Sequence, residues 1–116
     1  MKLQEIASIL DARVLSCEDR LETEVQEAFC CDMMSDVLAF AVDQSMLITG
    51  LMNPQVVRTA MMLDMHCIVF VCGKQPTPEI VSLAKANGIV VLVTGLDMFL
   101  SAGKLYAAGL LDGADL

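Results

Sequence analysis

A short phrase that occurs three times in the second half of the chain is the feature that most constrains the fold. It reads Leu-Ile-Thr-Gly, Phe-Val-Cys-Gly and Leu-Val-Thr-Gly, and its copies end at Gly50, Gly73 and Gly95, which are 23 and 22 residues apart. Residues typical of helix starts follow the copies in turn: Asn53-Pro54, Thr77-Pro78-Glu79 and Asp97. The repeated phrase therefore predicts three consecutive units, in each of which a strand is followed by a helix.

Two of the repeated strands are apolar on both faces. Neither Cys67–Val71 nor Ile89–Val93 alternates apolar with polar residues, and such strands are typical of the inner positions of a parallel sheet that helices cover on both sides. With right-handed crossovers, the sequence predicts an α/β fold: an open, mostly parallel sheet of four to five strands with helices on both faces, built from compact βα repeats. The length, 116 residues, is that of one domain, so we expect residues 1–116 to form a single domain.

The N-terminal half is less regular. Apolar residues in Leu3–Leu10 recur with helical spacing and predict an amphipathic helix, whereas Arg13–Cys17 and Glu24–Cys31 favour strands. Asp32 precedes a helical stretch, where an acidic residue complements the helix dipole and caps free N–H groups. We interpret Asp32 and Ser35 as a capping pair at that helix start; the alternative is that they contact a ligand.

At the other end of the chain, the tail Gly109–Leu116 is expected to fray, because terminal segments are poorly ordered unless something ties them down.

The chain is strongly acidic. Seven Lys and Arg against fifteen Asp and Glu give a formal net charge of −8, and because nucleic-acid binding takes clustered Lys and Arg, we predict no nucleic-acid partner. No run reaches the roughly 18 to 20 apolar residues of a membrane-spanning helix, and the N-terminus lacks the apolar segment of a signal peptide. We expect a cytoplasmic protein with no membrane partner, and the odd number of cysteines, five, agrees with a reducing compartment.

The carboxyl ends of the predicted strands are the best candidate for a binding site. In open parallel sheets, ligands bind there because backbone N–H groups and helix N-termini converge. Glycine allows close approach and a threonine hydroxyl can donate or accept. The expected ligand is small and anionic or nucleotide-like, and the candidate residues are Thr49, Gly50, Asn53, Gly73, Thr94 and Gly95, with Asp32 and Ser35 as further candidates. The alternative is that these glycines only close tight turns and the threonines only end strands.

No arrangement in the chain is typical of one reaction. The phosphate-binding patterns G-x-G-x-x-G and G-x-x-x-x-G-K-[ST] are absent, there is one histidine, and no C-x-x-C occurs. We therefore predict no catalytic and no metal-binding residues and identify no cofactor. An enzyme is the third hypothesis, for which the sequence offers only Asp32, Asp36, His66 and Cys72 as acid, base or nucleophile.

Nine methionines and 56% hydrophobic residues make the chain unusually apolar for its length. Methionine pairs such as Met33-Met34 and Met61-Met62 favour adaptable packing surfaces. A surplus of apolar residues in a small domain favours one exposed patch, whose commonest explanation is self-association. We therefore predict a homodimer.

An ordered series of short phrases runs from about Val25 to Leu105. Its members are Cys31 to Leu38, Leu47 to Gly50, Asn53 to Val57, the strand that ends at Cys72-Gly73, the helix start Pro76 to Glu79, Ala84 to Ile89, and Thr94. In this order the phrases resemble those of the DRTGG domain, a small α/β module. The chain departs from the family pattern at Leu51-Met52 after Thr49-Gly50, and at Lys74 after Cys72-Gly73.

The resemblance implies a fold similar to the N-terminal domain of HPr kinase and a regulatory role to which no reaction is attributed. It also implies partners, since stand-alone members of the family are similar to proteins encoded near iron-only hydrogenases and histidine-kinase-like ATPases. Two non-catalytic hypotheses stay open. The chain is either a regulatory or sensory module that binds a small ligand at the strand ends, or a ligand-free interaction and dimerisation module that serves a redox (iron hydrogenase-associated) or kinase partner.

Overall fold

The computed structural model of the protein describes residues 1–42 and 45–112. These residues form five α-helices, one short 3₁₀ turn at Glu18–Arg20 and six strands. In chain order the helices and strands are α1 (Leu3–Leu10), β1 (Arg13–Ser16), β2 (Glu27–Cys30), α2 (Met34–Phe40), β3 (Met46–Thr49), α3 (Gln55–Met62), β4 (Cys67–Phe70), α4 (Pro78–Ala86), β5 (Val90–Val93), α5 (Met98–Ala107) and β6 (Leu111–Asp112).

All six strands lie in one sheet, in the order β1-β5-β4-β3-β2-β6. Every neighbouring pair is parallel except β1 and β5, which are antiparallel. The predicted open, mostly parallel α/β sheet with helices on both faces is confirmed. The sixth strand comes from the tail that was expected to fray, because Leu111 pairs with Glu27 at the outer edge of β2; residues 113–116 of that tail lie outside the described residues.

The handedness of the connections decides which helix covers which face. Strands β2, β3, β4 and β5 follow one another across the sheet in one direction, and right-handed crossovers in one direction place their helices on the same face. Helices α2, α3 and α4 make these crossovers and share one core. After β5 the chain turns back toward β6, so that α5 joins α1 on the opposite face.

The three central strands are buried on both faces. All four residues of each of β3, β4 and β5 are buried. Toward α2, α3 and α4 the core contains Leu47, Ile68, Phe70, Val91, Val37, Val56, Val57 and Ile80. Toward α1 and α5 it contains Met46, Ile48, Val69, Leu92, Leu3, Ile6, Leu10 and Leu105. Because successive strand residues point to opposite faces, each strand serves two cores and is apolar at every position.

Two of the three predicted helix caps, Thr77 and Asp97, are present, whereas Asn53 does not cap α3, because Pro54 occupies the cap position of that helix. The side chains of Thr77 and Asp97 each accept a hydrogen bond from a backbone N–H in the first turn of the helix that follows, at 3.3 and 2.8 Å. Asn53 Oδ1 accepts from Gln55 N at 2.8 Å, and α3 begins at Gln55 rather than at Pro54, a one-residue difference of the kind common at helix ends. Within residues 1–42 and 45–112, no helix is both long and apolar enough to cross a membrane.

A buried hydroxyl fixes β1 on β5. The register shifts between Val14 and Ser16, and the Ser16 side chain restores the pairing there. Its hydroxyl donates to Ile89 O at 2.8 Å and accepts from Val91 N at 2.9 Å, and the residue is buried. Since a buried N–H or C=O without a partner costs about 1–3 kcal/mol, Ser16 stabilises this edge of the sheet.

We expect Ser16→Ala to lower the free energy of unfolding by about 2 kcal/mol, because it leaves Ile89 O and Val91 N without the hydroxyl. Ser8→Ala, on the exposed face of α1, is the matched control and should change the free energy by less than about 0.5 kcal/mol. Urea unfolding followed by circular dichroism measures both. Equal, small effects of the two substitutions would contradict the role assigned to Ser16.

Candidate functional site

Between β4 and β5 the connections of the sheet diverge. The chain leaves β4 toward α4 on one face and leaves the neighbouring β5 toward α5 on the other. In open α/β sheets such a switch point leaves a crevice outside the carboxyl ends of the strands, and this is where ligands bind. The crevice expected at this switch point lies between the turn that follows β4 and the turn that follows β5.

Glycine forms both walls of this crevice. Gly73 follows β4 with φ +67°, and a Cβ built on it would lie 3.9 Å from Gly95 Cα. A Cβ on Gly95 would meet nothing within 4 Å. Two backbone hydrogen bonds close the base: Cys72 N donates to Leu96 O at 2.8 Å, and Gly73 N donates to Thr94 O at 2.9 Å. The two turns are thus held together by backbone hydrogen bonds, and they carry no side chain at Gly73 and Gly95.

A second polar cluster lies at the ends of β2 and β3. Asp32 Oδ1 accepts from the Thr49 hydroxyl at 2.9 Å and from Gly50 N at 2.8 Å. The Thr49 hydroxyl also accepts from Leu51 N at 3.1 Å. A Cβ on the buried Gly50 would lie 3.8 Å from Asp32 Oδ1. The predicted residues Asp32, Thr49 and Gly50 are therefore brought together. In this cluster the Thr49 hydroxyl already makes two hydrogen bonds.

The interpretation of Asp32 and Ser35 as a capping pair is wrong. Met33 occupies the cap position of α2, and no side chain caps that helix. The reason is the parallel pairing of β2 and β3, which brings the chain that leaves β2 next to the end of β3. The Asp32 carboxylate accepts the hydrogen bonds of Thr49 and Gly50 there instead of those of its own helix.

Two cations lie at the same edge of the sheet. Lys74 Nζ donates to Gly50 O at 2.8 Å, which links the turn after β4 to the cluster at the end of β3. Arg13 stands opposite Val93, at the carboxyl end of β5, because β1 runs antiparallel. Its guanidinium donates to the Gln75 side chain at 2.8 Å. Both cations are exposed, so a chain of net charge −8 presents two of its seven basic side chains at this edge.

Neither cation was among the site residues predicted from the sequence. Arg13 reaches this edge only because β1 is antiparallel, and nothing in the alternation of a four-residue strand indicates its direction. The position of Lys74 at this edge could have been predicted from the sequence. Lys74 directly follows the second copy of the repeated phrase, and strand ends in such units meet at one edge.

The side chains of three other predicted site residues lie outside the crevice. The buried Thr94 hydroxyl donates to Leu10 O at 2.7 Å and accepts from Leu96 N at 3.2 Å, so it docks α1 on the sheet. The Asn53 side chain accepts from Gln55 N at the start of α3. Ser35 is exposed in the first turn of α2 and makes no hydrogen bond to the cluster among the residues that the structure describes. Among the described residues, Asn53 and Ser35 make no hydrogen bond to the crevice, whereas Thr94 contributes its backbone O to the base.

The cysteines differ in environment. Cys67 in β4 has no exposed surface, and burial raises the pKa of its thiol, which makes it a poor nucleophile. Cys72 is exposed beside the crevice. Across residues 1–42 and 45–112, no three His, Cys, Asp or Glu side chains come together in a way that could hold a metal ion.

Comparison with known proteins identifies related folds. A family model described as the DRTGG domain matches residues 5–108. Among solved structures, the chain is similar to the CBS and DRTGG domains of the regulatory region of Clostridium perfringens pyrophosphatase, crystallised with the activator diadenosine tetraphosphate, with a TM-score of 0.75 and 22% sequence identity. The alignment covers 96% of this chain and 48% of that one, so this chain spans about half its length. No curated protein matches the sequence significantly.

We expect Asp32→Ala to destabilise the protein by about 1–2 kcal/mol, because Gly50 N and the Thr49 hydroxyl lose a shared acceptor. Asp32→Asn keeps an oxygen at Oδ1 and should lose less than half as much. Asp19→Ala, an exposed carboxylate on the 3₁₀ turn, controls for the change in net charge. Chemical unfolding at constant salt distinguishes the three variants. Indistinguishable stabilities of Asp32→Ala and Asp19→Ala would rule out the cluster.

We expect iodoacetamide to modify Cys72 in the folded protein roughly 100-fold or more faster than Cys67, because Cys67 reacts only when the core opens. Peptide mass spectrometry after timed labelling gives both rates. In urea the two thiols should react at similar rates, which is the control. Rapid labelling of Cys67 in the folded state would show that β4 is not buried as described.

Proposed function

The chain belongs to the DRTGG domain family, and we propose from this premise that it is a non-catalytic regulatory module, a single domain over residues 1–116, that binds a small anionic or nucleotide-like ligand. The proposed site is the crevice between β4 and β5. The observation that carries the proposal is the coincidence at one switch point of bare glycine walls, Gly73 and Gly95, with two exposed cations, Lys74 and Arg13. This topological position is where open α/β sheets bind ligands.

The charges favour a ligand with a localised anionic group. A chain of net charge −8 repels polyanions at a distance, so recognition depends on close contact with Lys74 and Arg13. Charge-assisted hydrogen bonds to an anion contribute more than those to a neutral carbonyl. An anion near Gly73 therefore competes with Gly50 O for the Lys74 ammonium group, which has a long, flexible stem.

This competition supplies a route from binding to a regulatory response. In the structure Lys74 ties the turn after β4 to Gly50 O, and Gly50 N is in turn tied to Asp32 in front of α2. Moving Lys74 to a ligand releases the first of these links. The proposed signal is thus a change in how the β4 turn is coupled to the start of α2.

Nucleotides are the first ligands to test. The similar regulatory region of the pyrophosphatase was crystallised with diadenosine tetraphosphate, in a chain that contains CBS domains as well as the DRTGG domain. That complex is a reason to include diadenosine tetraphosphate beside AMP, ADP, ATP and inorganic phosphate in a panel. Native mass spectrometry of gently purified protein adds an unbiased search for a co-purified mass.

We expect one member of the panel to bind with 1:1 stoichiometry in isothermal titration calorimetry and Lys74→Met to weaken that binding about tenfold or more, the loss of roughly 1.4 kcal/mol. Lys85→Met, in the last turn of α4 and away from the crevice, is the charge-matched control and should leave the affinity unchanged.

Gly95→Ala tests the crevice by its shape. A Cβ at Gly95 meets nothing within 4 Å, so the fold is expected to tolerate the methyl group while the ligand loses space. Weaker binding with an unchanged melting temperature supports the site. Absence of binding across the panel, or equal losses for Lys74→Met and Lys85→Met, would overturn it.

A second candidate function follows from the surface of α2 and α3. Met33, Phe40 and Met62 are exposed there, Phe40 by 71% and Met62 by 68%, and methionine-rich faces adapt to protein partners. The alternative is therefore a ligand-free interaction module that holds a redox or kinase partner on this face. A chain that binds none of the panel, yet retains such a partner in a way that Met62→Glu abolishes, would replace the first proposal by the second.

A further inference from the structure

A well-formed concavity lies away from the crevice. A groove of about 560 Å³ lies on the opposite face of the sheet from α2, α3 and α4, between α5 and the edge formed by β2 and β6. Its walls are contributed chiefly by Ala28, Phe29, Phe99, Tyr106, Leu110 and Leu111. No charged side chain lines it.

One stripe of α5 forms the rim of this groove. Phe99, Ala102, Gly103 and Tyr106 are spaced i, i+3, i+4 and i+7, so they lie on one helix face. Phe99 is 83% exposed and Tyr106 is 65% exposed. The stripe therefore reads large, small, small, large, and it is nearly symmetric about the Ala102-Gly103 pair.

Gly103 has no intramolecular reason to be a glycine among the described residues. It lies inside α5, where glycine is less favourable than alanine, and a Cβ on it would meet nothing within 4 Å. What a glycine provides at such a position is close approach of another backbone. The bare position faces outward, so that backbone would belong to another molecule.

We propose that a second copy of this chain docks on this face, with the two α5 helices packed antiparallel across a two-fold axis near Ala102 and Gly103. In this arrangement Phe99 lies beside the partner's Tyr106, and Tyr106 lies beside the partner's Phe99. A two-fold interface must be complementary to itself, and a large-small-small-large stripe satisfies that condition when it is paired with its own reverse. The inference goes beyond the proposed function and does not depend on the ligand site.

The exposed aromatic side chains of the stripe supply more than half of the area that a stable pair needs. An aromatic side chain buries roughly 150–250 Å², so Phe99 and Tyr106 at their exposed fractions of 83% and 65% offer about 300 Å² per copy. The exposed Leu111 on the opposite wall of the groove adds to this. The two copies thus bring about 600 Å² of aromatic surface toward the roughly 1,000 Å² that a specific interface requires.

Charge favours the same face. Two copies of a chain of net charge −8 repel each other, and the repulsion is smallest where acidic side chains are fewest. Between residues 98 and 111 the sequence contains one charged residue, Lys104. The α5 face is therefore a place where two such acidic molecules can meet without apposing carboxylates.

Gly103→Glu tests the interface directly. The wild-type chain is expected to be a dimer at about 10 µM in analytical ultracentrifugation, and Gly103→Glu should raise the dimer dissociation constant more than about 100-fold, because it puts two carboxylates on the two-fold axis. Ser82→Glu, at an exposed position of α4, adds the same charge on the other face and should leave the dimer intact. Circular dichroism at a concentration where all variants are monomeric confirms that Gly103→Glu folds.

Gly103→Lys distinguishes the effect of a bulky side chain at the interface from the effect of net charge on dimerisation. It makes the chain less acidic, which by itself favours association, yet it should dissociate the dimer as Gly103→Glu does. Phe99→Ala and Tyr106→Ala should each weaken the dimer at least about tenfold, and the double variant should lose less than the product of the two, because the side chains contact each other across the axis. A monomeric wild-type chain overturns the proposal. A dimer that survives Gly103→Lys, or that only Met62→Glu dissociates, assigns association to another face and overturns it equally.

Discussion

Burial of β3, β4 and β5 on both faces is the constraint on which the rest of the structure depends. A strand that is apolar at every position needs a layer of helices on each side. Right-handed crossovers from β2 through β5 can supply only one of these layers, since all of them place their helices on the same face. The second layer has to come from the ends of the chain, and α1 and α5 provide it.

The candidate crevice is a consequence of that division. Because α4 completes the first layer and α5 belongs to the second, the turns after β4 and β5 leave the sheet in opposite directions. The polar groups at this edge follow from the same geometry. Antiparallel β1 delivers Arg13 to the end of β5, and the parallel pairing of β2 with β3 delivers Asp32 to Gly50. If α5 lay on the same face of the sheet as α4, the two turns would leave the sheet in the same direction and there would be no switch point.

The parts of the fold that the sequence could predict are those with local causes. The βα repeats follow from apolar strands and from capping residues such as Thr77 and Asp97, whose effect is confined to one helical turn. The parts it could not predict depend on which segments are neighbours in space. Nothing near Asp32 indicates that its carboxylate serves β3 rather than α2, and nothing in the tail indicates that Leu111 pairs with Glu27. The candidate site divides in the same way: the glycines were predicted from their repeat, whereas both cations were missed.

Helix α5 connects the two surfaces to which functions are assigned. It begins three residues after Gly95, at one wall of the crevice, and about 15 Å of helix carries the stripe on which the second copy is proposed to dock. If a ligand alters the position of this helix, it alters the dimer dissociation constant, and reciprocity then requires the dimer to alter ligand affinity by the same factor. Coupling between the ligand site and the dimer interface requires α5 to shift as one rigid helix. Its buried residues Ser101 and Leu105 hold it against the core of the second layer. A ligand whose affinity does not vary with protein concentration across the dimer transition would therefore have to signal through Lys74 and the start of α2 instead.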